Sequence, residues 1–178
     1  MKFDNSWTLF LDRDGVINER LDGDYVKKVD DFSFAVGSIK AIEKLSTIFG
    51  RIVVVTNQAG IGKGMMSEQD LDKVHRHMLK TIDLLDGRID KIYYCPDHPE
   101  AESPNRKPET GMGLQAKQDF PEIEFSRSVM VGDSVSDMIF GSRLGMVNIL
   151  IEGKKEDTDI APPQYRFKSL KEFADAIV

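Results

Sequence analysis

Apolar, β-branched runs alternate along this chain with segments in which apolar residues recur every three or four positions. Residues 7–11 (WTLFL) read as a strand. Ile39, Ile42, Leu45 and Ile48 then fall on one helical face. Residues 51–56 (RIVVVT) are almost all apolar and β-branched, the pattern of a strand buried on both faces. Ser67 with Asp70 makes a capping-box pattern, and the helix it opens carries Leu71, Val74, Met78, Ile82 and Leu85 on one side. His75 and His77, two apart on that helix, do not face each other and are expected at the surface. Residues 92–95 (IYYC) give a third strand, and 96–108, rich in Pro, Asp, Glu and Asn, a loop. A short helix is expected over 111–120, a fourth strand over 128–132 (SVMVG), a helix after Asp133 and a fifth strand over 147–151 (VNILI). Pro162 and Pro163 mark a linker before a short terminal helix over 169–178.

This alternation predicts an α/β fold: a Rossmann-like, doubly wound parallel sheet, in one domain spanning 1–178. Right-handed crossovers bring the loops after the strands to one sheet edge, where ligands bind in open α/β sheets. The residues at the strand ends therefore carry the candidate chemistry. After the first strand come Asp12 and Asp14, two acids at i and i+2, with Gly15 permitting a sharp turn. After the second come Thr56, Asn57 and Gln58, then a Gly-rich turn through Gly64. The loop after the third delivers Arg106, Lys107 and Pro108, and the fourth ends in Asp133 with Asp137 four residues on. Each element alone has a structural explanation as a turn, a cap or a solvated charge. Their conjunction at one edge points to a site. Clustered carboxylates repel unless a cation lies among them, and an all-oxygen donor set suits Mg²⁺ rather than zinc. A carboxylate can also attack phosphorus, with a cation, a lysine and neutral donors receiving the charge on the phosphoryl oxygens.

Composition narrows the classes. The 178 residues carry a formal net charge of −6 and 40% hydrophobic residues, which fits a globular chain with a core of its own. No apolar run approaches the ~20 residues of a membrane-spanning helix, and the N-terminus lacks a signal-peptide pattern. Cys95 is the only cysteine, so no internal disulfide forms, and a cytoplasmic location is expected. The acidic balance disfavours nucleic acid as a partner.

The segments FLDRDGVIN (10–18), TNQAGIGKG (56–64), CPDHP (95–99), RKP (106–108) and VGDS (131–134) resemble those of the haloacid dehalogenase superfamily. Within it they resemble the D,D-heptose 1,7-bisphosphate phosphatase and histidinol-phosphate phosphatase family. The resemblance spans roughly residues 9–153. It implies an Mg²⁺-dependent phosphatase working through an aspartyl-phosphate on Asp12, with Asp14 as general acid/base, Thr56 holding the phosphoryl group and Lys107 orienting Asp12. It assigns the metal to Asp12, Asp14 (through its carbonyl) and Asp133, with Asp137 as a ligand or behind the ligands, and substrate contacts to Asn57, Gln58 and Arg106. Family members often bind zinc through a C-x-H followed by C-x-C; here His98 stands at +3 from a lone Cys95, so no structural zinc is expected. Eleven residues separate Cys95 from Lys107, too few for a cap domain. The mouth would be lined by Arg106, Lys63 and one of Arg20, Lys27 or Lys28, and the substrate implied is a heptose 1,7-bisphosphate cleaved at the 7-position. Histidinol phosphate, 3′-phosphorylated polynucleotide ends and non-catalytic phosphate binding stand as alternatives. The expected state is a monomer or weak homodimer with a small-molecule substrate and no membrane partner.

Overall fold

The computed structural model describes residues 1–153 and 158–178. The first strand, β1, runs over Thr8–Leu11 and the second, β2, over Arg51–Asn57, with helix α1 over Ser38–Ile48 between them. Helix α2 (Glu68–Leu84) leads to β3 (Lys91–Cys95), α3 (Gly111–Asp119) to β4 (Ser128–Gly132), and α4 (Val135–Leu144) to β5 (Val147–Ile151). Strand β6 (Tyr165–Phe167) and helix α5 (Leu170–Asp175) follow. Among the described residues six strands lie parallel in one sheet, ordered β3-β2-β1-β4-β5-β6.

Side-chain alternation along the strands separates two apolar layers. Leu9, Leu11, Ile52, Val54, Val129 and Val131 face one side, where Ile42 and Leu45 of α1, Val74 and Met78 of α2 and Phe173 of α5 cover them. Phe10, Val53, Val55 and Met130 face the other, against Met112 and Ala116 of α3 and Phe140 of α4. The central strands are therefore apolar on both faces through their middles, as double burial requires. The predicted capping box forms as read, with Asp70 N–H donating to Ser67 Oγ (3.1 Å) and Ser67 N–H to Asp70 Oδ2 (3.0 Å). Strand β6 is an addition. It has three residues, is largely exposed and follows Pro162–Pro163, so no apolar alternation announces it.

The chain winds from β1 outward to β3, then returns across to β4 on the other side of β1. That reversal opens a crevice at the carboxyl ends of β1 and β4. Asp12 and Asp133 stand there, one residue past each strand. Among the described residues no helix is long and apolar enough to cross a membrane.

Candidate active site

The turn after β1 folds back tightly. Gly15 N–H donates to the Asn18 carbonyl (2.8 Å), and Gly15 takes φ +87°. A Cβ there would stand 2.0 Å from Asp133 Oδ2, so only glycine lets the two loops meet. After β4, Asp137 closes a capping box with Ser134 at the start of α4. Its Oδ2 accepts from Ser134 Oγ (2.7 Å) and from the backbone N–H groups of Asp133 (3.2 Å) and Ser134 (3.1 Å). The helix start thus sets the position of Asp133.

Lys107 reaches this crevice from the loop between β3 and α3. Asn57 clamps that loop in both directions: its Nδ2 donates to the Lys107 carbonyl (3.0 Å) and its Oδ1 accepts from Lys107 N–H (2.9 Å). The buried ammonium then has three acceptors, the Val55 carbonyl (2.6 Å), Asp12 Oδ1 (3.0 Å) and Asp137 Oδ1 (2.6 Å). Burial alone would lower the lysine's pKa, but the charges of Asp12 and Asp137 raise it above its ordinary value. Asp12 shows the opposite balance. Burial, and then the neighbouring charge of Asp137, push its carboxyl up to about 6, against the attraction of Lys107.

Asp14 is held differently. Arg13 Nη2 and Asn18 Nδ2 each donate to its Oδ1 at 3.0 Å, and Gln58 Nε2 donates to its Oδ2 at 2.9 Å. Burial raises its pKa, but the Arg13 charge and these hydrogen bonds together hold it below the ordinary value. Gln58 also donates to Thr56 Oγ1 (2.9 Å) and accepts from Arg13 (3.4 Å). Gln58, expected to touch substrate, is almost wholly buried, and its amide supports Asp14 from within. His75 corrects an expectation. It lies four residues after Leu71 and three before Met78, on the buried stripe of α2, and is 7% exposed. Its Nε2 meets Arg13 Nη1 at 3.0 Å.

Arg20 does not reach into the mouth as a free cation. Its Nη2 donates to the Asp14 carbonyl (3.2 Å) and to Asp133 Oδ1. A positive group of this chain thus bridges two of the oxygens expected to hold metal. Asp12, Asp133 and Asp137 offer carboxylate oxygens that all lie within 4.8 Å of one another. The donors are hard oxygens, and the side chain that approaches them is a cation. Both observations fit Mg²⁺. Cys95, by contrast, is buried beside Asp97 and Ser103, with Sγ 3.6 Å from Asp97 Oδ2 and 3.7 Å from Ser103 Oγ.

Above these groups lies a cavity of about 560 Å³, lined among others by Asp12, Asp14, Asn57, Arg106 and Lys107. One wall is the loop bearing Tyr25, which packs on Gly60 and lies under Lys63, 5.3 Å from ring centre to Nζ. Arg106 Nη1 is buried and makes no hydrogen bond. Lys27 instead pairs with Asp24 on its own loop at 2.8 Å.

A hydrolase-like family model, described as HAD-hydrolase-like, matches residues 104–173. A D-glycero-alpha-D-manno-heptose-1,7-bisphosphate 7-phosphatase of Campylobacter jejuni is 39% identical over 166 residues, covering 92% of this chain and 91% of that protein. The chain belongs to this family of HAD-like phosphatases. A second relative of that name, from Mycobacterium bovis, is 41% identical over 134 residues, 75% of this chain and 70% of its own. The beta-anomer phosphatase of Pasteurella multocida is 36% identical over 166 residues, 89% of each chain. Among solved structures, the D,D-heptose 1,7-bisphosphate phosphatase of B. bronchiseptica, complexed with magnesium and phosphate, superposes with a TM-score of 0.84. It is 26% identical and covers 98% of this chain and 97% of its own. As a HAD-like phosphatase, this chain is a hydrolase of a phosphorylated substrate, and magnesium is its cofactor.

Proposed function

We propose that the chain hydrolyses the 7-phosphate of a D-glycero-D-manno-heptose 1,7-bisphosphate through an aspartyl-phosphate on Asp12. The observation that carries this reading is Asp12, paired with Lys107 at 3.0 Å, on the floor of a cavity with a cation-ready carboxylate group beside it. The relatives above, named for that substrate, support the choice of sugar.

Asp12 attacks phosphorus, the bond from phosphorus to the sugar oxygen breaks, and Asp14 gives that oxygen its proton. A water then attacks the phosphoryl group while Asp14 takes the water's proton, and the bond from phosphorus to Asp12 breaks. The resting Asp14 is ionised. An anionic phosphoryl group beside it favours its protonated form, which the first step needs. Lys107 fixes Asp12 and balances charge on the phosphoryl oxygens, and the Thr56 hydroxyl, which accepts from Gln58, keeps its own proton to donate to them. Asp12, Asp133 and the Asp14 carbonyl would hold magnesium, with Asp137 behind them holding Lys107. When bound, the metal neutralises the carboxylates and the phosphoryl charge.

Asn57 positions Lys107, and the unpaired Nη1 of Arg106 is the best-placed donor for a second phosphate. The reading includes a single uncapped domain over 1–178, a cytoplasmic location and a monomer or weak homodimer. A panel of both heptose bisphosphate anomers, histidinol phosphate and 3′-phosphorylated DNA, with and without Mg²⁺, tests it. Magnesium-dependent phosphate release fastest from a heptose bisphosphate is expected. Faster release from histidinol phosphate or from DNA would overturn the substrate, and release undiminished by chelation would overturn the mechanism.

A further inference from the structure

Arg13 and His75 lie outside the reacting cluster, and the mechanism above gives neither of them a part. Arg13 is fully buried, a rare state for a guanidinium. It stands two residues past β1, and its fork reaches from the active-site turn to α2. One end nitrogen, Nη1, meets His75 Nε2 at 3.0 Å; the other, Nη2, donates to Asp14 Oδ1 at 3.0 Å and to Gln58 Oε1 at 3.4 Å. The third, Nε, is buried with no hydrogen-bond partner. A guanidinium only donates hydrogen bonds, so Nε2 must offer its lone pair. The ring is therefore neutral, with its proton on Nδ1. Burial, and then the Arg13 charge, hold its pKa down to about 3, consistent with that state.

We propose that His75 is a positioning residue for Asp14, acting through the plane of the Arg13 guanidinium. The guanidinium is rigid and planar, so fixing one end nitrogen fixes the orientation of the other. His75 anchors the Nη1 end to the body of α2. Without that acceptor the fork can rotate about its stem, and the hydrogen bond at Asp14 Oδ1 loses its direction. The proposal rests on Asp14 serving as proton donor to the leaving oxygen, as read above. An ordinary packing role for the ring, which lies edge-on to Tyr94 with centroids 6.1 Å apart, makes a different prediction.

The two roles separate by leaving group. A sugar alkoxide needs a proton as it departs, whereas a nitrophenolate does not. The value of kcat/KM reports phosphoryl transfer to Asp12, the step in which Asp14 donates. His75→Leu keeps apolar volume and removes the acceptor; His75→Gln restores an acceptor on a side chain of similar reach. His75→Leu should lower kcat/KM on the heptose bisphosphate by about 10- to 100-fold, the scale of a misplaced catalytic group. On nitrophenyl phosphate the loss should stay within about threefold, and Mg²⁺ affinity measured calorimetrically should be unchanged, both following from leaving the Asp12 site intact. His75→Gln should recover most of the loss. If the Leu protein does not fold, the comparison of His75→Gln with His75→Met carries the same expectations. Equal losses on both substrates, or no recovery with Gln, would overturn the proposal in favour of packing. Wild-type protein inactive on both substrates would instead sink the phosphatase reading, and the proposal with it.

Discussion

Replacing Asp12 by Asn should stabilise the metal-free protein while abolishing turnover. The Asp12 carboxyl is buried, near Asp137 and Asp14, and its pKa rises from 3.8 to about 6. That displacement corresponds to about 3 kcal/mol of preference for the neutral form in the folded state. The folded value lies above the unfolded one, so the stability Asp12 contributes is complete below about pH 3.8 and is lost as pH rises through about 6. Asn has no charge to desolvate, can still accept from Lys107 and the Arg13 N–H, and leaves Lys107 paired with Asp137. The variant's advantage over wild type should therefore be small near about pH 4 and reach about 3 kcal/mol above about pH 7. Urea unfolding in the presence of chelator, followed by far-ultraviolet circular dichroism across that range, reads it directly. Titrations common to both proteins cancel in the difference. Saturating Mg²⁺ should narrow or reverse the gap, because the wild-type carboxylate holds the ion more tightly than a neutral amide does. A difference that does not change with pH, or a variant less stable at high pH, would refute the electrostatic argument.

Arg20→Gln removes the side-chain cation lying on the Asp14 carbonyl and Asp133. Titration calorimetry should show Mg²⁺ binding about tenfold tighter, the equivalent of ~1.4 kcal/mol of lost competition, together with a lower Tm for the metal-free protein. Arg106→Ala should lower kcat/KM on the bisphosphate at least about tenfold more than on a monophosphate, since a second phosphate engages it through charge-assisted bonds. Asp14→Asn should slow turnover of the sugar phosphate by about 10²- to 10⁴-fold yet still let labelled phosphate accumulate on Asp12 from an aryl phosphate. Gly15→Ala, whose Cβ would stand 2.0 Å from Asp133 Oδ2 at a positive φ, should cost both stability and metal affinity, read by Tm with and without Mg²⁺.

The sheet was legible because its central strands are doubly buried, and the two-layer alternation leaves continuous apolar runs at residues 9–11, 52–55 and 129–131. The strand ends were equally legible, since acids, a hydroxyl and a lysine interrupt those runs abruptly. Strand β6 was not, being too short and too exposed to carry a period. The site residues that act through others were also hidden. His75 stands at i+4 from Leu71, which puts it on the buried stripe, a relation that its neighbour His77 does not share. Gln58 beside Thr56 and Asn57 looks like another substrate donor, and only its burial reveals that it faces Asp14. Arg20 reads as one of several cations at the mouth because its partners, Asp14 and Asp133, are brought to it by the return of the chain from β3 to β4.

Two carboxylates of one cluster will respond to selection in opposite ways. Asp137 caps α4, orders the Asp133 loop and holds Lys107, so its loss removes helix start, loop and lysine anchor together. Asp12 serves the reaction and strains the fold. In a library of all single substitutions scored separately for cellular abundance and for activity, position 137 should fail both screens. Position 12 should fail only the second when the replacement is small and polar, as in Asp12→Asn, and such inactive variants should accumulate near the parental level. Such a scan would mark which acids of the site the scaffold depends on and which it merely tolerates.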